Sequence, residues 1–173
     1  MNFHCLHIDM KILYLVRHAK SSWDHSGLSD SDRPLMTKGI DRSHRIIGFL
    51  KERGVLPDLM ISSPAIRAFE TAKLFAGGLG YLVPNVIIDQ KIYDGYYDRI
   101  LDVIYSIKND IDSLMIFGHN PTITNLANLF LHPGIDDMPT STVVAIEFDT
   151  VKWEEIANAK AHQLFIVSPK MLK

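Results

Sequence analysis

Arg17-His18, Arg67 and His119 are the residues of this chain whose types and positions carry reactive chemistry. Each stands just beyond a short apolar run. Ile12 to Val16 precedes Arg17-His18, Leu59-Met60-Ile61 precedes Ser62-Ser63-Pro64 and Arg67, and Leu114 to Phe117 precedes Gly118-His119-Asn120-Pro121. If those runs are parallel strands, their carboxyl ends open on one crevice, the place where α/β sheets bind ligands. Two guanidinium groups and two imidazoles gathered there suit a compact dianion such as phosphate, because arginine offers its oxygens a rigid fork of donors. Two of the segments also open helices, whose free N–H groups attract anions. Taken singly, each residue fits a solvated loop position equally well. It is the placement at three strand ends that carries the reading.

Other phosphate chemistries fit less well. No Gly-rich Walker loop or G-x-G-x-x-G motif occurs, which argues against nucleotide and dinucleotide binding. Cys5 has Lys11, not Arg, six positions on and precedes the first apolar run, so a cysteine-phosphate mechanism fails. Asp30 and Asp32 form an Asp-x-Asp pair among Gly, Ser and Pro, with no apolar strand to deliver it, and read as loop acids. That leaves His18 as the nucleophile of the positive pocket.

The elements that must position these residues follow from the pattern. Six apolar runs, at 12–16, 59–61, 86–88, 114–117, 143–146 and 164–167, are too short for helices and read as strands covered on both faces. Between them, Thr37 can cap a helix to about Arg53 that Gly54 stops, and Ser63-Pro64 opens a second that Gly77-Gly78 ends. A third spans about Tyr97 to Lys108, and Asn120-Pro121 opens a fourth that His132-Pro133-Gly134 terminates. Strands alternating with helices predict a three-layer αβα sandwich, α/β in class, with a mostly parallel central sheet. The last two strands lack a helix between them and are expected as an antiparallel pair, giving the sheet an antiparallel edge strand.

With 173 residues, 47% of them hydrophobic and 22% charged, the chain suits one globular domain, expected over 10–173. Residues 1–9 read as a flexible extension in which His4, Cys5 and His7 make a poor metal site, and Met10 can serve as a second start. A formal charge of −2 argues against nucleic-acid and anionic-membrane partners. One cysteine allows no intrachain disulfide, no apolar run reaches membrane-span length, and the N-terminus lacks signal-peptide architecture; the expected location is cytoplasmic.

At this point the motifs resemble a known family. Leu15-Val16-Arg17-His18-Ala19-Lys20-Ser21-Ser22-Trp23, then Asp32-Arg33-Pro34-Leu35 with Thr37 and Gly39, is similar to the histidine phosphatase superfamily, and within it to SixA-like phosphohistidine phosphatases. The likeness continues through Asp58 to Ala68 and Glu70-Thr71-Ala72, and ends with Gly118-His119-Asn120-Pro121. The resemblance implies a phosphoglycerate mutase-like fold and a phosphoenzyme mechanism without a metal or other cofactor. His18 would attack phosphorus in line, while Arg17, Arg67 and His119 hold the equatorial oxygens. Ser21 matches a position that borders the pocket and is a candidate substrate binder. In Ile92-Tyr93-Asp94-Gly95, Asp94 takes the place of the family's general acid. Asp24 stands where the wider family has a phosphate-binding Asn, and is left out of the site because an anion there would repel the substrate.

Of the remaining candidates, His25 could rim the pocket, while His44, His132, His162, Trp23 and Trp153 read as packing or surface residues. The intervals between strands leave no long insertion for a lid, and an uncovered site suits a phosphohistidine on a signalling or phosphotransfer protein. The alternatives are a phosphatase for a small phosphomonoester such as a sugar phosphate, and a module that binds phosphorylated ligands without turnover.

Overall fold

The structure, a computed structural model, describes residues 10–22, 27 and 29–172. Residues 1–9 and the positions of Trp23, Asp24 and His25 lie outside the described residues, and with them the expectations placed there.

Six strands form one sheet: β1 (Lys11–Arg17), β2 (Leu59–Ser62), β3 (Ile87–Ile88), β4 (Ser113–Gly118), β5 (Val143–Phe148) and β6 (Ala161–Val167), in the order β3-β2-β4-β1-β5-β6. β1 to β4 are mutually parallel. β5 runs antiparallel to β1, and β6 antiparallel to β5, which places the expected antiparallel pair at one end of the sheet. The helices are α1 (Thr37–Glu52), α2 (Ile66–Leu79), α3 (Lys91–Asp94), α4 (Tyr97–Tyr105) and α5 (Thr122–Asn128).

The layers follow from the strand period of two. Leu13 and Leu15 of β1 pack into one apolar cluster with Ile100, Val103 and Ile104 of α4 and Ile123, Leu126 and Ala127 of α5. Tyr14 and Val16 face the other way, against Ile46, Ile47 and Leu50 of α1 and Ala72, Phe75 and Ala76 of α2. Burial on both faces is why the central strands read as unbroken apolar runs.

Several boundaries differ from the sequence expectation. Thr37 is the first residue of α1 and not its cap; Met36 stands at the cap without a side-chain hydrogen bond. Helix α2 runs through Gly77-Gly78 and stops at Gly80, whose φ of 82° is the left-handed conformation that ends helices. Gly78 is retained inside it because a β-carbon there would strike Ile47 of α1, so the two helices approach closely at that point. β3 is an edge strand of two residues, Ile87 and Ile88, both about half exposed, so it is not covered on both faces. The four-residue helix α3 has no counterpart in the sequence expectation. At the other end of β1, Lys11 is buried with its Nζ donating to Asn109 O, Ile111 O and Asp112 Oδ1, which satisfies a charge that would otherwise forbid its place at the strand start.

Candidate active site

Strand register brings the two histidines together. β1 and β4 pair in parallel with Val16 opposite Phe117 and Arg17 opposite Gly118, so the next residues on each chain, His18 and His119, leave the sheet side by side. His18 N donates to Gly118 O as the last rung. Their ring centroids are 5.0 Å apart. β2 pairs with β4 as Ser62 opposite Phe117, which sets Ser63 beside His119; Ser63 Oγ and His119 Nε2 lie 2.8 Å apart. Arg67 comes from the first turn of α2 and places its Nε 3.4 Å from His18 Nε2.

The helix that carries Arg67 is tied to the loop that carries His18. Thr71 Oγ1 accepts from Ala19 N at 2.9 Å and donates to Arg67 O at 2.6 Å. On the opposite side Ser141, held at a φ of 62°, donates its N–H to the carbonyls of Arg17 and His18.

The state of His18 can be read from its partners. Its Nδ1 lies 2.8 Å from Ala19 O, and a carbonyl only accepts, so Nδ1 bears the hydrogen. Nε2 is then the atom with the lone pair, and Arg67 Nε donates toward it. Burial, joined by the charges of Arg67, Arg17 and Arg33, pushes the His18 pKa down to about 4 against the opposing hydrogen bond to Ala19 O. Burial, with His18 and Arg67, likewise pushes His119 down to about 3. Below its pKa the ring is an imidazolium without a free lone pair; above it the ring is a nucleophile. The rate should therefore rise with pH through about 4. We expect kcat/KM, corrected for ionisation of the substrate, to hold from neutrality to about pH 5 and to fall below it. An acid limb centred near the ordinary imidazole value of about 6.5 would contradict this environment.

Arg17 reaches Met138 O at 2.6 Å through NH1, with Asp137 at 3.5 Å. Among the described residues, Arg17 Nε and His119 Nδ1 are buried without a hydrogen-bond partner. Such atoms are uncommon in folded proteins, and these two belong to residues that line one cavity. All four predicted residues, Arg17, His18, Arg67 and His119, line one cavity of about 550 Å³, and Ser21 lines it too. Ser21 Oγ accepts from Arg33 NH2 at 2.9 Å, so its hydroxyl holds another pocket guanidinium.

Asp94 stands elsewhere. It accepts from Gln90 Nε2 at 2.5 Å and lines a neighbouring hollow with Tyr93, Tyr96, Tyr97 and Thr122. The reason is α3, which turns the chain after Asp89 so that Tyr93, not Asp94, faces the histidines; the Tyr93 ring meets that of His119 edge-on at 5.5 Å.

Sequence reasoning missed Asp30 and Arg33. Far from being a plain loop acid, Asp30 links three elements at the pocket. Oδ1 accepts from Arg33 NH1 at 2.9 Å, and Oδ2 accepts from Arg67 NH2 at 2.8 Å and Tyr93 Oη at 3.2 Å. Arg67 NH1 also donates to Asp30 O. Burial would raise the Asp30 carboxyl, but hydrogen bonds from Arg33 and Arg67 prevail and hold it at about 2, so it is ionised at neutral pH. Ser21, Asp30 and Arg33 thus wall the pocket on one side, which segment lengths alone did not reveal. The one local signal was the Asp30-x-x-Arg33 spacing that permits an i,i+3 ion pair.

Asp30 is placed as a positioning residue, because it fixes the fork of Arg67. Asp30→Asn should lower kcat roughly tenfold as that fork loosens. KM should fall or hold, because a negative charge that opposes an anionic substrate is gone. A rise in KM with a lower melting temperature and an unchanged kcat would show a structural role only.

Among the described residues no group of three or more His, Cys, Asp or Glu side chains is arranged to hold a metal ion, and no helix is long and apolar enough to cross a membrane.

Comparison with known proteins gives a family and a fold. The family model described as the histidine phosphatase superfamily (branch 1) matches residues 13–94. An uncharacterized chloroplastic protein of Arabidopsis thaliana is 32% identical over 151 residues, 83% of this chain and 69% of that protein. A 2,3-bisphosphoglycerate-dependent phosphoglycerate mutase of Clavibacter michiganensis is 35% identical over 66 residues, 37% of this chain and 26% of that protein. Among solved structures, the protein histidine phosphatase SixA complexed with tungstate superposes with a TM-score of 0.79 at 22% identity, covering 94% of this chain and 99% of that one. A mycobacterial glucosyl-3-phosphoglycerate phosphatase gives 0.63 at 15% identity, covering 90% and 97%. These structural likenesses show the fold.

Proposed function

Since the chain belongs to the histidine phosphatase superfamily, we propose that it hydrolyses phosphohistidine on a signalling or phosphotransfer protein in the cytoplasm, through a phosphohistidine intermediate on His18. The observation that carries this reading is the imidazole of His18, with Nδ1 on the Ala19 carbonyl and Nε2 on the pocket side beside Arg67. A nucleophile must present a lone pair to phosphorus, and this tautomer does so.

In the first step His18 Nε2 bonds to phosphorus as the bond from phosphorus to the substrate imidazole breaks. The leaving ring needs no acid from the enzyme when it is protonated in the substrate, since it then departs neutral. This is consistent with the place of Asp94 outside the histidine pocket. In the second step a water oxygen bonds to phosphorus as the bond to His18 Nε2 breaks; the phosphate leaves with the water's oxygen and shares its protons with solvent, and His18 returns neutral with its hydrogen still on Nδ1. Arg17, Arg67 and His119 meet the equatorial oxygens, where charge spreads in the transition state, and Ser21 borders them through Arg33.

Fixed guanidinium charges take the part that a divalent ion plays in other phosphoryl-transfer enzymes. Turnover should therefore survive EDTA; loss on chelation with recovery on adding Mg²⁺ would contradict the assignment.

The reading is tested by comparing kcat/KM for a phosphohistidine protein with that for sugar phosphates and other small esters. A clear advantage for phosphohistidine supports it. Preference for an alkyl ester would favour the small-phosphomonoester reading, and phosphate binding without turnover of any substrate would favour a binding module.

A further inference from the structure

The charge of the pocket exceeds what one phosphoryl group requires. Among the described residues five cations line it, Arg17, Lys20, Arg33, Arg42 and Arg67, and one carboxylate, that of Asp30. Asp30 is shared between Arg33 and Arg67, and Arg17 leans on Asp137 at the rim. Five cations less these two carboxylates leave three positive charges, and a phosphoryl dianion neutralises about two. That leaves an excess of about one positive charge, and Lys20 and Arg42 are the two of the five that have no carboxylate partner among the described residues. The concentration is local, since the whole chain carries a formal charge of −2.

The fold brings the two cations to the same cavity. Met36 N donates to Lys20 O at 2.9 Å, and α1 approaches that peptide so closely that a β-carbon at Gly39 would collide with the Lys20 carbonyl oxygen. Arg42 stands three residues beyond Gly39, on the same face of α1. On that face Ser43 is buried and hydrogen-bonded to Ser141 at 3.0 Å, which holds α1 against the loop containing Thr140. Thr140 lines the cavity with Lys20 and Arg42. The volume, about 550 Å³, is that of a pocket for a small molecule or a side chain with its neighbours, more than a lone phosphoryl group fills.

We propose that Lys20 and Arg42, with Thr140, form a second anion subsite beside the phosphoryl site, so that the preferred substrate carries a second negatively charged group near its phosphorus. This rests on the phosphatase reading above and names the substrate class within it. The second anion is an acidic side chain flanking phosphohistidine in a protein, or a carboxylate or further phosphate in a small ester; one chemistry serves both.

The test compares two competitive inhibitors of p-nitrophenyl phosphate hydrolysis, methylphosphonate with one anionic group and phosphonoacetate with two. Phosphonoacetate should bind about tenfold more tightly, the effect of one charge-assisted hydrogen bond. In Arg42→Gln and Lys20→Gln that ratio should fall toward one. Equal inhibition of the wild-type protein, or a ratio that both variants retain, overturns the subsite. Calorimetric binding of the same two compounds gives the ratio even if no substrate is turned over, so failure of the subsite and failure of the phosphatase reading are separable. Phosphohistidine peptides differing only by Glu or Ala near the phosphohistidine then identify the source. Preference for Glu assigns the second anion to a protein, and indifference, alongside an intact phosphonoacetate effect, assigns it to a small ester.

Discussion

His18→Ala is expected to reduce kcat by on the order of 10⁵-fold or more, because the proposed route needs the lone pair of His18 Nε2 to bond to phosphorus. Two neighbouring side chains already have partners in the pocket. His119 has its Nε2 on Ser63 Oγ, and Ser21 Oγ accepts from Arg33. Arg17, Arg67 and His119 persist in the variant, so phosphate should still bind; calorimetry with inorganic phosphate would show this. Loss of turnover with binding intact assigns His18 to chemistry. If the variant kept more than about a hundredth of the wild-type rate, another nucleophile or direct attack by water would have to replace the covalent route.

Arg67→Ala should cost about 10³-fold in kcat, between the loss of one oxyanion donor and the loss of an arginine finger. Two consequences combine in that figure. The guanidinium beside His18 Nε2 is gone, and Asp30 keeps its charge with Arg33 and Tyr93 as remaining partners, adding repulsion toward the substrate. KM should therefore rise as kcat falls. Arg67→Lys should recover little, since an ammonium cannot serve His18, the phosphoryl oxygens and the Asp30 carboxylate with one planar fork. Near-complete rescue by Lys would mean that only the charge of Arg67 matters. Wild-type kcat in the Ala variant would remove it from the transition state.

Much of this site was legible before any coordinates, for a definite reason. Apolar runs mark buried parallel strands, and residues just past them must emerge at one end of the sheet; Arg17-His18 and His119 are therefore adjacent as a consequence of strand register. What stayed hidden depends on contacts that no short stretch of sequence encodes. Asp30 looks like any polar loop acid until the 3₁₀ turn over Asp30–Asp32 meets α2, which begins 34 residues further on. Asp94 follows an apolar run in the expected order, yet after the turn of α3 it lines the neighbouring hollow with Tyr93, whose ring is the one that meets His119. Gly77-Gly78 resembles a helix stop because glycine often ends helices, whereas here Gly78 serves the close contact with Ile47 and the stop falls at Gly80. Asp30 and Gly78 both owe their roles to partners far away in the chain, Arg67 and Ile47.

The central claim is that His18 Nε2 carries the phosphoryl group during turnover. The most direct measurement is rapid quenching of the wild-type protein with a phosphorylated substrate, followed by peptide mass spectrometry under alkaline conditions that preserve phosphohistidine. One phosphoryl group, labile in acid, is expected on the peptide containing His18 and is expected to be absent from His18→Ala. Turnover with no phosphoenzyme at any quench time, or a phosphoryl group located on His119 or on a serine, would contradict it.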